Sequence, residues 1–339
     1  MNIYINGTGC VSPLETAVEG RLPSAAPLYD QIRLKAAEPD YKQWIDIKMI
    51  RRMSRVIKMG VAAAQLSLRE AGIQKPEGII TGTAYGCLDD TGVFLTKMIN
   101  QHEEMLTPTA FIQSTHNTVA GQIALLLECH AYNNTFVHKG FSFEHTLIDS
   151  IMQLREGKIS NILAGAMDEL TNHSFNILSR FNLFKHTAAG EGAACFVLST
   201  EKGPNAVARL KGVSVLYKPG SFEEVAADVV GFLAAHNCSQ EDIDLLITGR
   251  NGDPAGDAWY EHVENNVFPS LPVARFKHLC GEYPTASAFG TWMAARIIAS
   301  QEVTPAVLFK GNAPSAIKKV LLYNHHDASH HSMILLSIC

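Results

Sequence analysis

The sequence predicts an α/β fold built from two similar halves. Short buried strands alternate with helices from Met53 to Gly165, and the alternation restarts near Ala206 and runs to Ala299. That order favours sheets covered by helices. A turn-rich stretch, STEKGPNA over 199–206, separates the two series and sets halves of 1–200 and 201–339. The halves read as rough copies, although no repeat is visible in the residues.

Taken in order, Met1 to Ile5 reads as a short strand ended by the turn residues Asn6, Gly7 and Gly9. Residues 21–48 look irregular. Apolar or small residues at 53, 57, 60, 61, 64, 68 and 71 have helical spacing, and Gly72 closes that helix. Gly78–Gly82 is a buried strand, Asn117–Leu127 and Phe141–Leu154 are helices, and Asn161–Gly165 and Gly192–Leu198 are buried strands. In the second series Val207–Val215 is β-like. Ser221 and Glu224 form a capping box that opens a helix with apolar positions at Val225, Val229, Phe232 and Leu233. Asp244–Thr248 is a strand, Tyr283–Ala299 a small-residue helix, and Val320–Tyr323 with Met333–Ile338 a closing hairpin.

The chain has 339 residues, 47% hydrophobic and 18% charged, with a net charge of −5. No global basic field exists to hold nucleic acid or an anionic membrane. Seven scattered cysteines, odd in number and never spaced CxxC, argue against a disulfide framework or structural zinc. The first residues lack a signal-peptide pattern and no apolar run could span a bilayer, so a reduced cytoplasmic protein is expected. GxSxG, HExxH and P-loop motifs are absent, and no cofactor or metal is predicted.

Three local features carry more than one reading each. Gly7-Thr-Gly9-Cys-Val-Ser12 imitates a dinucleotide fingerprint, but Pro13 follows and no helix opens there, so it reads as a tight strand-to-loop turn. Lys48, Arg51, Arg52, Arg55 and Lys58 form either a solvated helix face or a dock for an acidic partner. Asn324, His325, His326, Asp327, His330 and His331 suggest a metal, a polar hairpin loop, or a loop lining a pocket. Adjacent histidines on extended backbone point to opposite faces, which favours the loop readings.

Several blocks together resemble the β-ketoacyl-acyl-carrier-protein synthase family of the thiolase superfamily. They are IYINGTGCVSP, RRMSRVIKMGVAAAQLSLREAG, GIITGTAYG, TPTAFIQSTHNTVAGQIA, LREGKISNILAGAMDE and EGAACFVLS in the first half, then GDPAGDAWYE and FPSLPVARFKHLCGEYPTASAFG in the second. They run in the family's order over nearly the whole chain. The resemblance implies a thiolase-like fold whose halves each carry a mixed five-stranded sheet, layered α/β/α/β/α, and a dimer.

It also implies a cysteine at a buried helix N-terminus that takes the acyl chain as a thioester, and two histidines that assist decarboxylation and stabilise the enolate. A lysine and a glutamate support them. Counting from Gly157 and Ala164-Gly165 puts the nucleophile position on Gly140, with His138, Lys139 and Ser142 within a slip of two residues. No cysteine lies between Cys129 and Cys195. Counting from Pro254 and Asp257 puts the first histidine position on Gly249 or Arg250, and counting from Lys277 and Gly281 puts the second on Glu282. Lys277 and Glu191 keep their types. The histidine cluster replaces the family's Gly- and Phe-rich loop. An ionised Glu282 would repel an enolate, and decarboxylation without the cysteine still needs the imidazoles, so condensation by the family mechanism is not expected.

The resemblance therefore implies a non-catalytic subunit similar to chain-length factors. It would pair with an active ketosynthase, meet acyl carrier protein through Arg51, Arg52, Arg55 and Lys58, and serve polyketide, polyene or fatty-acid-type synthesis. An altered enzyme using Ser142 with His138, Glu282 or the 325–331 histidines is the alternative, and a homodimeric acyl-binding protein a third.

Overall fold

The structure, a computed structural model, describes residues 1–29 and 31–339, with Val18 and Glu19 in their backbone only. The first strand, β1, runs Ile3–Val11, through both glycines that the sequence suggested as turn residues. The reason is close approach to the first long helix, α1 (Arg55–Ala71). A Cβ at Gly7 would sit 2.2 Å from the Ser67 carbonyl oxygen, and one at Gly9 2.1 Å from that of Ala63. Glycine lets strand and helix backbones touch here without breaking the strand. The segment Gly7–Ser12 is therefore neither turn nor fingerprint. α1 ends as expected at Gly72, which adopts the left-handed conformation (φ 72°).

Next come β2 (Gly78–Gly82), α2 (Leu88–Asn100), α3 (Thr118–Leu126) and β3 (Tyr132–Phe136). The half closes with α4 (Ser142–Arg155), β4 (Asn161–Asp168), α5 (Asn172–Arg180) and β5 (Gly192–Ser199). The second half holds β6 (Ala208–Tyr217), α6 (Phe222–Ala235), β7 (Leu245–Thr248), α7 (Pro254–Asn266) and β8 (Val273–Arg275). It is completed by α8 (Ser287–Ser300), β9 (Leu308–Lys310), β10 (Lys319–His326) and β11 (His330–Ser337). At the start of α6 the Ser221 hydroxyl accepts from the Glu224 amide at 3.3 Å. The return bond of the expected box lands one residue earlier, on the amide of Gly220 at 2.6 Å.

The strands lie in the order β3-β2-β4-β5-β1-β6-β11-β10-β7-β8-β9. The first five and the set β8-β7-β10-β11-β6 follow one plan: two parallel pairings, then two antiparallel ones. The duplication that the residues hide is thus plain in the topology. The halves meet edge to edge through a short β1–β6 ladder, Ile3 opposite Leu210 to Ile5 opposite Ala208.

Three apolar clusters make five layers. α1 and α3 cover one face of the first sheet around Val56, Met59, Ile79 and Val119. α4 and α8 fill the space between the sheets, where Phe143, Leu147, Trp292 and Leu322 meet. α8 is buried nearly all round, as a helix sandwiched between two sheets must be. α6 and α7 close the outer face of the second sheet on Val229, Tyr260 and Tyr323. Among the described residues, no helix is long and apolar enough to cross a membrane.

The closing hairpin is longer than predicted. The histidines lie in its strands, with His325 opposite His331 and His326 opposite His330, and Asp327, Ala328 and Ser329 make the turn. The strands can continue into imidazoles because both rings find buried polar partners, His325 at Gly256 of α7 and His331 at the Tyr323 hydroxyl of β10.

Candidate functional site

The expected nucleophile segment is the turn between β3 and α4. Its strained residue is Lys139, at φ 51°, and the next residue, Gly140, is buried. A Cβ at Gly140 would sit 2.7 Å from Cβ of His326 and 2.9 Å from Cβ of His330. The tip of the β10–β11 hairpin thus closes directly over this position. The Phe141 ring packs on His330 with centroids 4.7 Å apart.

The serine alternative does not fit this geometry. The Ser142 hydroxyl is fully buried; it bonds the carbonyl oxygens of Thr83 at 3.0 Å and Lys139 at 2.8 Å and accepts from the His138 amide at 2.9 Å. No imidazole bonds it. The His138 ring instead meets the ring of His145, Nδ1 to Nδ1. Ser142 therefore secures the turn, and the base that a serine nucleophile needs is absent.

At Gly249, expected at the first histidine position, there is no room for a side chain. A Cβ at Gly249 would sit 2.3 Å from the Asn324 side-chain oxygen and 2.5 Å from the Tyr260 hydroxyl. Arg250 turns toward α7, where two nitrogens bond the Glu264 carboxylate at 2.8 and 2.9 Å, and its guanidinium lies over Phe309.

Glu282 is the centre of the polar network. Its carboxylate lies 2.7 Å from Lys277 Nζ, accepts from Asn251 Nδ2 at 2.8 Å and contacts His326 Nδ1 at 3.1 Å. Burial alone would raise its pKa, but the Lys277 ammonium and His326 bring it down to about 2. Lys277, itself buried, also donates to the His325 carbonyl at 2.8 Å. His325 accepts the Ala328 amide on Nδ1 at 3.3 Å and gives its Nε2 hydrogen to the Gly256 carbonyl at 2.8 Å, so its ring is neutral and structural. Burial and Lys277 hold its pKa well below the usual imidazole value. His331 pairs with the Tyr323 hydroxyl at 2.9 Å, and burial lowers it to about 4.

Glu191 sits in a second network. Fully buried, it accepts from the amides of Ala36 at 2.9 Å and Leu170 at 3.0 Å and is paired with Arg55. Arg55 also bonds Glu38, so its charge is turned inward rather than toward a partner. Lys58 lies over the Tyr41 ring at 5.4 Å. Of the four residues suggested for carrier docking, Arg51 and Arg52 are exposed.

A cavity of about 310 Å³ opens beside Glu282. Leu178, Phe181, Leu183 and Phe184 form an apolar wall; Tyr85, Asn251, His326 and Asp327 lie among its polar lining. Asp168, at the end of β4, holds the loop at Tyr85 in place by accepting from Thr83, Ala84 and Thr285 at 2.7–2.8 Å. Asn251 and Tyr260 were not singled out from the sequence; for Asn251 its place two residues after Gly249 was the available signal. Among the described residues, no three His, Cys, Asp or Glu side chains converge as a metal site would require.

A family model described as "Beta-ketoacyl synthase, N-terminal domain" matches residues 29–205. Solved structures agree in fold. The ishigamide ketosynthase/chain length factor matches at 17% identity and TM-score 0.79, covering 100% of this chain and 99% of that one. A β-ketoacyl synthase from Burkholderia phymatum STM815 gives 16% and 0.76, covering 100% and 99%. A ketosynthase in complex with its chain length factor from Xenorhabdus doucetiae gives 15% and 0.77, covering 100% and 98%. No curated protein matches the sequence.

Proposed function

The chain belongs to the β-ketoacyl synthase family, and from that premise we propose that it is a chain-length-factor-type subunit, one that does not condense acyl units itself but pairs with an active ketosynthase. Gly140 carries this reading. It offers no thiol, and a side chain there would meet His326 and His330. The losses are coupled, because Gly249 is walled in by Asn324 and Tyr260, and Glu282 puts a carboxylate where the family mechanism needs a neutral or cationic donor. Solved neighbours that are ketosynthase/chain length factor assemblies support the reading.

In this reading the halves 1–200 and 201–339 form one scaffold, and the chain works in the cytoplasm on polyketide, polyene or fatty-acid-type acyl units held by acyl carrier protein. Arg51 and Arg52 are the residues through which a carrier would dock.

The test is affinity purification from the native source, followed by intact-mass spectrometry after incubation with acyl- and malonyl-carrier protein. Recovery of a cysteine-containing ketosynthase, with no acyl adduct on this chain, is expected. A homodimer carrying a mapped adduct would overturn the reading.

A further inference from the structure

His326 combines three properties of a general base. Its Nδ1 is 3.1 Å from Oε1 of Glu282, so in the neutral ring the carboxylate holds the hydrogen on Nδ1 and leaves the lone pair on Nε2. No described residue hydrogen-bonds that second nitrogen. The ring lines the 310 Å³ cavity and is 15% exposed, so water reaches it. Carboxylate-oriented imidazoles of this kind accept protons in hydrolases, where the carboxylate fixes the tautomer and stabilises the imidazolium.

The cavity also selects a substrate. Its wall of Leu170, Leu178, Phe181, Leu183, Phe184 and Pro284 suits an apolar chain. No lysine or arginine lines it, and its titratable groups are acids, imidazoles and tyrosines, so an anionic ligand finds no counter-charge there. At the expected catalytic positions no described side chain is free to act as a nucleophile. Glu282 is paired to Lys277, Ser142 is bonded to backbone, and Gly140 has no side chain. Water is the remaining one.

We propose that His326, oriented by Glu282, is a general base for the hydrolysis of neutral acyl thioesters in this cavity. The thioester rests on the family reading above; the base rests on the geometry. Nε2 takes a proton from water as its oxygen bonds to the acyl carbon, the C–S bond breaks, and the imidazolium returns the proton to the departing thiolate. The products are a thiol and a carboxylic acid. Once ionised, the acid has no cation to hold it and leaves.

The full-length chain, as it purifies, is incubated with octanoyl- and malonyl-N-acetylcysteamine, and thiol release is followed by mass spectrometry. Octanoyl hydrolysis about a hundredfold above buffer is expected, with malonyl at the buffer rate. His326→Gln should abolish the gain at unchanged Tm. Glu282→Gln, which tests a positioning residue, should lower kcat and leave KM in place. Buffer-rate hydrolysis by the wild-type chain overturns the inference, as does full activity in His326→Gln; equal rates on malonyl overturn the neutral-substrate part. If His326→Gln fails to fold, Glu282→Gln decides, since undiminished kcat there also refutes the dyad. A chain that assembles with a ketosynthase but does not hydrolyse ends this inference alone. One that hydrolyses but recovers no ketosynthase in the affinity purification ends the subunit reading alone.

Discussion

His326 stands directly over Gly140: a Cβ on the glycine would sit 2.7 Å from the histidine's own Cβ, inside the closest separation that two such atoms adopt. Restoring a thiol at position 140 therefore does not restore a ketosynthase. Gly140→Cys should lose about 1–3 kcal/mol of stability through overpacking, measured by denaturant unfolding. It should also stay unacylated by acyl-carrier protein in intact-mass spectrometry. An acylated, fully stable Gly140→Cys would mean that the hairpin tip swings aside freely.

Lys277 and Glu282 face each other at 2.7 Å, both largely shielded from water. Lys277→Met leaves the carboxylate with Asn251 and His326 alone and should cost about 3–5 kcal/mol, because the uncompensated charge remains buried. Lys277→Met with Glu282→Gln should recover part of that loss in a double-mutant cycle. A double variant as unstable as the sum of the singles would show that the two groups do not interact.

Acid should destabilise the protein through its buried histidines. Burial pulls His278 and His331 down to about 4, so the fold holds them neutral while the unfolded chain takes up protons near pH 6.5. Their contribution is complete above pH 6.5 and is lost as pH falls toward 4, roughly 3 kcal/mol for the fully buried His331. Thermal unfolding across that window should show the decline. His331→Phe should flatten it while costing about 1–3 kcal/mol at neutral pH, since the Tyr323 hydroxyl loses its partner. An unchanged slope would place the acid sensitivity elsewhere.

Ser142 offers a sharper separation of structure from chemistry. Ser142→Ala removes the acceptor of the His138 amide and should cost about 1–3 kcal/mol, read from denaturant unfolding. It should leave any thioester hydrolysis at the wild-type rate. Loss of hydrolysis in a folded Ser142→Ala protein would restore the serine to the list of nucleophiles.

Much of this was legible in the chain. Regular hydrophobic period placed α1, β2 and the strands after α4, and the expectation of a missing thiol rests on the absence of any cysteine between Cys129 and Cys195. β3, by contrast, reads YNNTF and is half exposed, so it carries no apolar signal and was missed. Gly7 and Gly9 looked like turn residues because a sequence cannot show whether a glycine serves a bend or a helix packed against its backbone. The histidines looked like loop because clustered imidazoles carry no apolar strand signal; His325 continues the strand because Gly256, 69 residues away, bonds it, and His331 because Tyr323 of the facing strand does. The Glu282 network was half visible. Its residue types were readable, but its partner His326 arrives from 44 residues further along the chain.

The shared strand plan has a consequence for how the site is furnished. By position in that plan, β4 corresponds to β10 and β2 to β7, so Asp168 and His326 end equivalent strands on the cavity wall, as Gly82 and Thr248 end another equivalent pair. A symmetric scaffold has been filled unequally. The first half gives the site a glycine, a serine bonded to backbone and the carboxylate of Asp168, which steadies a loop, while the second supplies the lysine, the glutamate and the imidazole. Duplication thus leaves the first copy mainly to keep architecture while the second holds the linked lysine, glutamate and imidazole.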